Sequence, residues 1–195
     1  MARPRTFDES EALEKAVRLF QERGFEKTSI PDLVERLGVC RQSLYNAFGD
    51  KRSLYLASLR RWGEREVDSK LALLEGCGPP LDLLRTLVRG WAALATQCPS
   101  VGCLTVASIV DNHDDAEALA IVEQQVERTE AGFRRTLERA AKLGQLKADA
   151  NPAGLASTLT STYFGLGLLS RLPKSGPRIG DSVASMLRLI DAAAA

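Results

Sequence analysis

The sequence predicts an all-α protein of about nine helices, and three observations lead to this fold class. Apolar residues recur three or four positions apart along most of the chain, which is the period of an amphipathic helix. Alternating apolar and polar stretches, which would indicate strands, are nearly absent. Clusters of glycine and proline interrupt the pattern at 76–80 and 99–102, where loops are expected. Three short helices would form an N-terminal domain, 1–56, and a larger helical bundle would occupy 57–195.

The first three helices are delimited by capping residues. Asp8 is a suitable N-cap for the first helix, which Gly24 ends. The second helix carries its apolar residues on one face and is followed by Gly38, a residue that readily adopts the left-handed conformation of a helix end. The third helix runs from about Arg41 to Ala47. This order of short helices and tight turn is typical of a helix-turn-helix.

The later helices are longer. Asp50 caps a helix that runs to about Leu74 and would connect the N-terminal domain to the rest. Four of the remaining helices are amphipathic, whereas the one over 152–172 is apolar on more than one face and is therefore expected to be buried or to lie at an interface. These five helices are predicted at 81–97, 103–110, 115–143, 152–172 and 179–193.

Composition limits the possible functions. The chain has 195 residues, of which 45% are hydrophobic and 26% charged, with a formal net charge of +1. No apolar run of about 18 residues indicates a membrane span, and the N-terminus lacks the apolar region of a signal peptide, so a cytoplasmic location is expected. The small net charge means that any DNA affinity must come from a local basic patch. The candidates are Arg3, Arg5, Lys27, Arg41, Lys51 and Arg52.

The third helix has the composition of a DNA-reading element. Its apolar positions are Leu44 and Phe48, four residues apart, and the rest of its surface is polar. A short helix with so little apolar surface is a poor core element, but it fits the major groove, where hydrogen-bonding side chains read base edges.

The sequence around this helix resembles the DNA-binding domain of the TetR/AcrR family of transcriptional regulators over roughly residues 8–56. Two departures from the family pattern occur at Cys40, where a capping Ser or Thr is usual, and at Ala47, where an aromatic residue is common. The matching residues are Ala16, Phe20, Gly24, Phe25, Thr28, Ser29, Ile30, Asp32, Leu33, Leu37, Gly38, Val39, Ser43, Leu44, Tyr45, Phe48, Lys51 and Leu54.

We expect two kinds of DNA contact. Arg favours guanine edges and Gln or Asn favours adenine edges in the major groove, whereas other contacts hold phosphates and position the helix without reading sequence. Thr28, Tyr45, Lys51 and the backbone near Ser43 are the phosphate candidates. The residues predicted to face DNA are Thr28, Arg41, Gln42, Ser43, Tyr45, Asn46 and Lys51.

The resemblance also implies two roles for the C-terminal bundle. The last two helices of the family usually pair with their copies, which makes 152–172 and 179–193 the predicted homodimer interface; the alternative for 152–172 is the central helix of a monomeric bundle. An apolar cavity among the middle helices would take a small hydrophobic effector, although ordinary core packing also explains these side chains. The predicted lining is Leu84, Val88, Trp91, Leu104, Ala107, Val126, Phe133, Tyr163 and Phe164.

The four cysteines do not have the spacing of a zinc site. Cys103 precedes a predicted helix, and a helix N-terminus makes a thiolate more available. The step Gly102-Cys103-Leu104 is similar to one in a TetR branch of electrophile-sensing repressors, so Cys103 is a candidate redox sensor and Cys98 a candidate resolving thiol. A buried structural cysteine is the alternative. His113 is interpreted as part of a polar capping loop, and no metal site is predicted.

The sequence therefore predicts a sequence-specific transcriptional regulator, a homodimeric repressor on a pseudo-palindromic operator of double-stranded DNA. A small hydrophobic ligand or thiol modification would release it. No phosphate-binding loop, dinucleotide fingerprint or catalytic motif is present, so no enzyme activity and no cofactor are expected. The alternative is a small-molecule-binding or thiol-reactive sensor that no longer binds DNA. Nothing in the sequence separates a repressor from an activator.

Overall fold

The computed structural model describes residues 8–97, 103–111 and 114–195, with the backbone alone for 93–97, and these ranges contain nine α-helices and no β-strand. The predicted all-α fold is confirmed. The helices are α1 Glu9–Arg23, α2 Ile30–Leu37, α3 Arg41–Phe48, α4 Lys51–Leu74, α5 Pro80–Gln97, α6 Leu104–Asp111, α7 Ala116–Lys142, α8 Pro152–Leu169 and α9 Gly176–Ala193.

Two helix boundaries differ by three residues from those predicted, and the others by no more than about one. Helix α9 begins at Gly176 rather than at 179, because a proline in its first turn is compatible with a helix start. Helix α8 ends at Leu169 rather than near 172. The backbone N–H groups of Arg171 and Leu172 donate three residues back, to the carbonyls of Leu168 and Leu169 (3.2 and 2.9 Å), so the last turn tightens and the helix stops.

The helices enclose two hydrophobic cores that share α4 and α7. The first, here the head core, joins α1–α3 and the first half of α4 to α6 and to the start of α7, through buried residues such as Leu104 and Val122. The second, here the body core, lies among α5, α8, α9, the end of α4 and the C-terminal half of α7. Because α4 belongs to both cores, a movement of the body helices against α4 also acts on the N-terminal helices.

Ion pairs reinforce this junction between head and body. The guanidinium of Arg52 binds the carboxylate of Asp115 through Nε and Nη2 (both 2.8 Å) and reaches Glu117 at 3.1 Å, while Arg60 also contacts Glu117 (2.8 Å). The hydrogen bonds from Arg52 are the main cause that lowers the pKa of Asp115 to about 2. The sequence grouped Arg52 with the basic residues that could meet DNA; the structure instead pairs it with the carboxylates of Asp115 and Glu117.

Candidate nucleic-acid interface

Helix α2 is set by local hydrogen bonds at both ends. Ser29 and Asp32 form a capping box at its start, which satisfies two otherwise free backbone N–H groups. Gly38 ends it with φ 72°, a left-handed conformation that glycine adopts without strain. Arg23 and Glu22 on α1 pair with Asp32 and Arg36 of α2, each at 2.6 Å. The α2–α3 turn therefore has a defined geometry relative to α1.

Helix α3 is held to the head by very little apolar surface. Leu44 is its one fully buried residue, with 0% exposure, and Phe48 and Val39 pack at the edge of the head core. The remaining side chains of α3 are half-buried or exposed. This arrangement leaves a polar helical face available to an external partner.

The start of α3 lacks a side-chain cap. Cys40 occupies the N-cap position without a capping hydrogen bond to the backbone, as expected for a weak acceptor. Its Sγ instead lies 3.1 Å from Ser43 Oγ, and this hydrogen bond is the main cause that lowers the pKa of the exposed Cys40 thiol. The N-terminal turn of α3 is thus less well satisfied than that of α2.

The outer face of α3 carries two side-chain pairs, each spaced one helical turn apart. Arg41 donates to the Tyr45 hydroxyl (3.3 Å), with its Cζ 5.6 Å from the centroid of the Tyr45 ring. Gln42 Nε2 donates to Asn46 Oδ1 (2.9 Å). Pairs at this spacing support one another on a helix, so four of the predicted base- or phosphate-contacting residues form one ordered polar surface.

The predicted phosphate contacts occupy different environments. Lys51 Nζ lies 4.2 Å from the centroid of the Phe25 ring. This is a cation–π contact with a side chain that packs against the head core. Thr28 has 0% exposure; its hydroxyl donates to the Gly24 carbonyl (2.7 Å) and its N–H to the Phe25 carbonyl (3.2 Å). This burial argues against a phosphate contact by Thr28 and indicates a structural role.

The predicted effector-lining residues fall into separate places. Leu84, Val88, Trp91 and Phe133 belong to the body core, with Tyr163 packed against it, whereas Leu104 belongs to the head core and the half-buried Val126 packs against it. Ala107 is buried on α6. Tyr163 and Phe164 line a small cavity of about 10 Å³ between α4, α7, α8 and the start of α6. The structure therefore brings together two of the nine predicted residues at a cavity.

Most residues around that cavity are absent from the predicted set because they are polar or small. The sequence does not reveal them, because the predicted lining consists of apolar helical positions. Their grouping depends on contacts between helices that are distant in sequence. They are Trp62, Gly63, Glu66, Val67, Lys70, Cys103, Thr105, Gln125 and Thr129.

A larger cleft of about 640 Å³ lies elsewhere, between the head and the start of α7. Phe25 and Arg52 line it together with a series of carboxylates that includes Asp111 and Glu117. Its acidic lining suits neither an apolar effector nor DNA. Of these two spaces, the small cavity is the better candidate for an effector site, despite its size.

Cys103 adjoins the start of α6 and is half-buried. A β-carbon on Gly167 of α8 would lie 3.1 Å from the Cys103 β-carbon, so the thiol-bearing residue packs directly on the α8 backbone. Cys98 and His113 lie outside the described residues. Within the ranges described, no group of three or more His, Cys, Asp or Glu side chains could hold a metal ion, and no helix is long and apolar enough to cross a membrane.

A polar helix presented across a left-handed glycine from a second short helix defines the helix-turn-helix class of DNA-binding proteins. The comparison with known families agrees. Residues 12–58 match the family model described as bacterial regulatory proteins, tetR family, and residues 80–186 match the model of the tetracyclin repressor-like C-terminal domain. The second match spans more than half of the chain. The chain belongs to the TetR family and is a DNA-binding transcriptional regulator.

Individual relatives cover nearly the whole chain. The chain is 29% identical over 194 residues to the uncharacterized HTH-type transcriptional regulator YezE of Bacillus subtilis (strain 168), covering 98% of this chain and 100% of that protein. It is 29% identical over 195 residues to the HTH-type transcriptional repressor ComR of Escherichia coli (strain K12), covering 96% and 90%.

Two solved structures are similar over their full length. A cysteine mutant of the TetR family regulator CifR, complexed with a 26-bp double-strand operator DNA, has a TM-score of 0.83 at 27% identity, over 96% of this chain and 98% of that one. The reduced form of E. coli NemR has a TM-score of 0.83 at 20% identity, over 95% and 96%, a likeness of fold alone.

Proposed function

We propose that the chain acts as a homodimeric repressor that binds a pseudo-palindromic operator. The observation that carries the proposal is the polar face of α3, where Arg41 pairs with Tyr45 and Gln42 with Asn46, on a helix whose one fully buried residue is Leu44. Each protomer would place this face in a major groove, with the two half-sites about 34–36 Å apart. Operator binding by the related CifR mutant supports the same use of the head.

Dimerisation is proposed through α8 and α9, the helices that occupy the predicted segments 152–172 and 179–193. Three large apolar side chains near these helices are 40–50% exposed: Leu168, Leu172 and Leu189. Exposed apolar surface on neighbouring helices favours pairing with a second copy. Light scattering at micromolar concentration should give the mass of a dimer, and a monomer would contradict this part of the proposal.

A small hydrophobic effector in the body would release the repressor by favouring a conformation in which the two heads are wrongly spaced. The side chain of Gln125 on α7 provides a physical connection. Its Nε2 donates to the Leu59 carbonyl of α4 (2.9 Å), and its Oε1 accepts from Thr105 Oγ1 of α6 (2.8 Å). An effector that displaces α6 or α7 therefore shifts α4. The loss of DNA affinity is then set by how much more tightly the effector binds the released conformation than the DNA-binding conformation.

Thiol modification at Cys103 is a second proposed release signal. The observation that favours it is the packing of Cys103 on Gly167, because an added group at the thiol would have to displace α8 or α6. Cys40 and Cys77 are exposed and would also react with a thiol oxidant. The test therefore compares a Cys40→Ser, Cys77→Ser protein with the same protein carrying Cys103→Ser, each treated with diamide. Loss of DNA binding only where Cys103 is present supports the signal, and equal loss in both proteins removes it.

The decisive experiment for the repressor function is fluorescence anisotropy with DNA from upstream of the protein's own coding region, in reductant and with excess non-specific competitor. We expect saturable binding in the nanomolar range, with two protomers per site. If no sequence binds above competitor, including sequences selected from a random DNA pool, the alternative applies: a sensor that has lost its DNA role.

Transcription measured from a bound promoter separates a repressor from an activator. The proposal expects expression to rise when the protein is removed and a fall would indicate activation.

A further inference from the structure

The body contains a buried cation for which the repressor mechanism above has no use. The Lys70 side chain on α4 is only 8% exposed. Its ammonium donates to the Glu66 carbonyl (2.8 Å) and lies 3.3 Å from Glu66 Oε2, its one anionic partner among the described residues. Nζ also lies 4.6 Å from the centroid of the Tyr163 ring. Burial lowers the pKa of Lys70, which Glu66 partly opposes.

Two buried hydrogen-bond donors lie near Lys70 without an acceptor among the described residues. The indole Nε1 atoms of Trp62 and Trp91 are both buried and find no acceptor among the described residues. Trp62 lines the cavity beside Lys70, and Trp91 packs on Tyr163 with ring centroids 5.2 Å apart. One acceptor of the cavity lining, Gln125 Oε1, already accepts from Thr105. A buried donor without an acceptor costs free energy that a ligand oxygen would recover.

The α8 wall of this cavity is aromatic. Tyr163 and Phe164 form its α8 side, with ring centroids 5.1 Å apart in an edge-to-face arrangement. Aromatic walls with a few converging polar groups are typical of sites for small planar molecules. The binding chemistry of the site is therefore a positive charge and an N–H donor beside two rings.

The cavity is nearly closed in the structure, since about 10 Å³ holds no more than a water molecule. The helices around the cavity leave no space for a ligand, because Gln125 fills the space against Gly63 and Cys103 packs on Gly167. Entry of a ligand must therefore separate α4 from α6, α7 or α8. The closed cavity corresponds to a state that an effector would disfavour, which is what a release mechanism requires.

We propose that the effector is a small aromatic carboxylate, bound with its carboxylate on Lys70 and Trp62 and its ring between Tyr163 and the α4 wall. This inference rests on the proposed release by an effector. A carboxylate is favoured over a neutral oxygen because Lys70 is a buried cation with a single anionic partner among the described residues, Glu66 Oε2 at 3.3 Å. Glu66 is 27% exposed and also lies 4.0 Å from Arg65, so its carboxylate has a cationic partner nearer the surface when a ligand anion takes its place.

The test measures ligand binding by tryptophan fluorescence on the full-length dimer, since both tryptophans of the chain, Trp62 and Trp91, lie beside the site. The probes are benzoate, phenylacetate and 2-naphthoate, each with its neutral carboxamide as the matched control. We expect at least one carboxylate to bind at about 1 mM or below and at least about tenfold more tightly than its amide, the ratio typical of one charge-assisted hydrogen bond. Absence of binding by all three, or equal binding of acids and amides, overturns the proposal.

Two variants localise the site. Lys70→Met should weaken carboxylate binding at least about tenfold and leave the amide unchanged, while Lys142→Met, at an exposed position near the end of α7, should change neither. Trp62→Phe keeps a ring and removes the N–H donor, and a several-fold loss is expected for it; it also serves as the test if Lys70→Met does not fold. Unchanged carboxylate affinity in both Lys70→Met and Trp62→Phe would overturn the assignment.

Operator binding is measured separately, so that the two proposals can fail independently. Carboxylate binding that depends on Lys70, in a protein that binds no DNA, would leave the ligand site intact and remove the repressor function. Operator binding without carboxylate binding would do the reverse. Release of operator by the same carboxylate, lost in Lys70→Met, would support both.

Discussion

Polar side chains on the α3 face and those around the cavity beside Lys70 differ in exposure and in hydrogen bonding. On α3, polar side chains are exposed and satisfied by a partner one turn along the same helix, as in the Gln42–Asn46 pair. Around the cavity they are buried and drawn from different helices, and some donors, such as Trp62 Nε1, have no acceptor in the part of the chain that the structure describes. The α3 face is satisfied in water and is accessible to a partner without rearrangement. The cavity instead has hydrogen-bond donors that a bound ligand would satisfy.

Substitutions in the two regions should also differ in their effect on the free energy of unfolding. Removal of a side chain from the α3 face should change DNA affinity with little effect on the free energy of unfolding. Changes around the cavity should act on folding, because buried polar groups there bridge several helices. Substitutions in the two regions should therefore separate effects on folding from effects on DNA binding.

Gly63→Ala should lower the free energy of unfolding by about 2–4 kcal/mol. A β-carbon at Gly63 would overlap the side-chain amide of Gln125, which would have to give up its hydrogen bonds to Leu59 and Thr105. Urea unfolding at a fixed protein concentration measures the change.

The matched control for that substitution is Gly90→Ala in the interior of α5, where an added β-carbon meets no atom within 4 Å. Its higher helix propensity should raise stability by up to about 1 kcal/mol. Equal stabilities of the two variants would mean that Gln125 leaves its position at no cost, and the bridge between α4 and α6 would then carry no coupling.

The unequal success of sequence-based prediction follows from the same division. The features that define the head are local: Gly38 ends α2, Asp50 caps α4, and Leu44 is the apolar anchor of α3, all within a short stretch of chain. The full set of helices could be predicted as well, because helical periodicity is a property of consecutive residues. Thr28 is the exception in the head: the resemblance suggested a phosphate contact, whereas its side chain is buried and its hydroxyl donates to the Gly24 carbonyl.

The cavity could not be predicted in the same way. Lys70 lies on a helix face that looks solvated in the sequence, and its burial arises from contact with Tyr163, more than ninety positions later. Gln125 has a clear role only once Leu59 and Thr105 are beside it. Leu104 and Val126 show the converse, because their apolar character predicted a ligand wall and the structure places Leu104 in the head core and Val126 against it.

Arg41→Ala and Lys51→Ala should reduce DNA affinity in different ways. Loss of Arg41 should cost about 1–3 kcal/mol of binding and relax the preference at one base pair. Loss of Lys51 should weaken all sequences alike and reduce the slope of log affinity against log salt by about one. Anisotropy on operator and single-base variants at several salt concentrations gives both quantities, with Lys142→Ala as an exposed control. A change of base preference in Lys51→Ala would refute this assignment of roles.

Cys40→Ser should raise the free energy of unfolding by about 0.5–1 kcal/mol, because a serine hydroxyl can accept from the free N–H groups at the start of α3. Cys40→Ala is the matched comparison and should lie close to the parent protein, since the cysteine makes no capping bond. Thermal unfolding followed by circular dichroism measures all three proteins. If serine and alanine were equivalent, the start of α3 would be satisfied by water, and the uncapped turn would have no energetic consequence.

Arg52→Gln should produce the smallest effect, a pH-dependent weakening of the contact between head and body. The pKa of Asp115 is lowered from 3.8 to about 2 in the folded protein, so the ion pair contributes stability that is present above pH 3.8 and is lost as the pH falls through about 2. The parent and the variant should therefore differ at neutral pH and converge toward pH 2, and NMR titration should find the Asp115 pKa of the variant nearer its ordinary value. Both side chains are accessible to solvent, so the contribution of the pair to the free energy of unfolding is small. A stability difference that persists unchanged at pH 2 would show that Arg52 acts through packing rather than through Asp115.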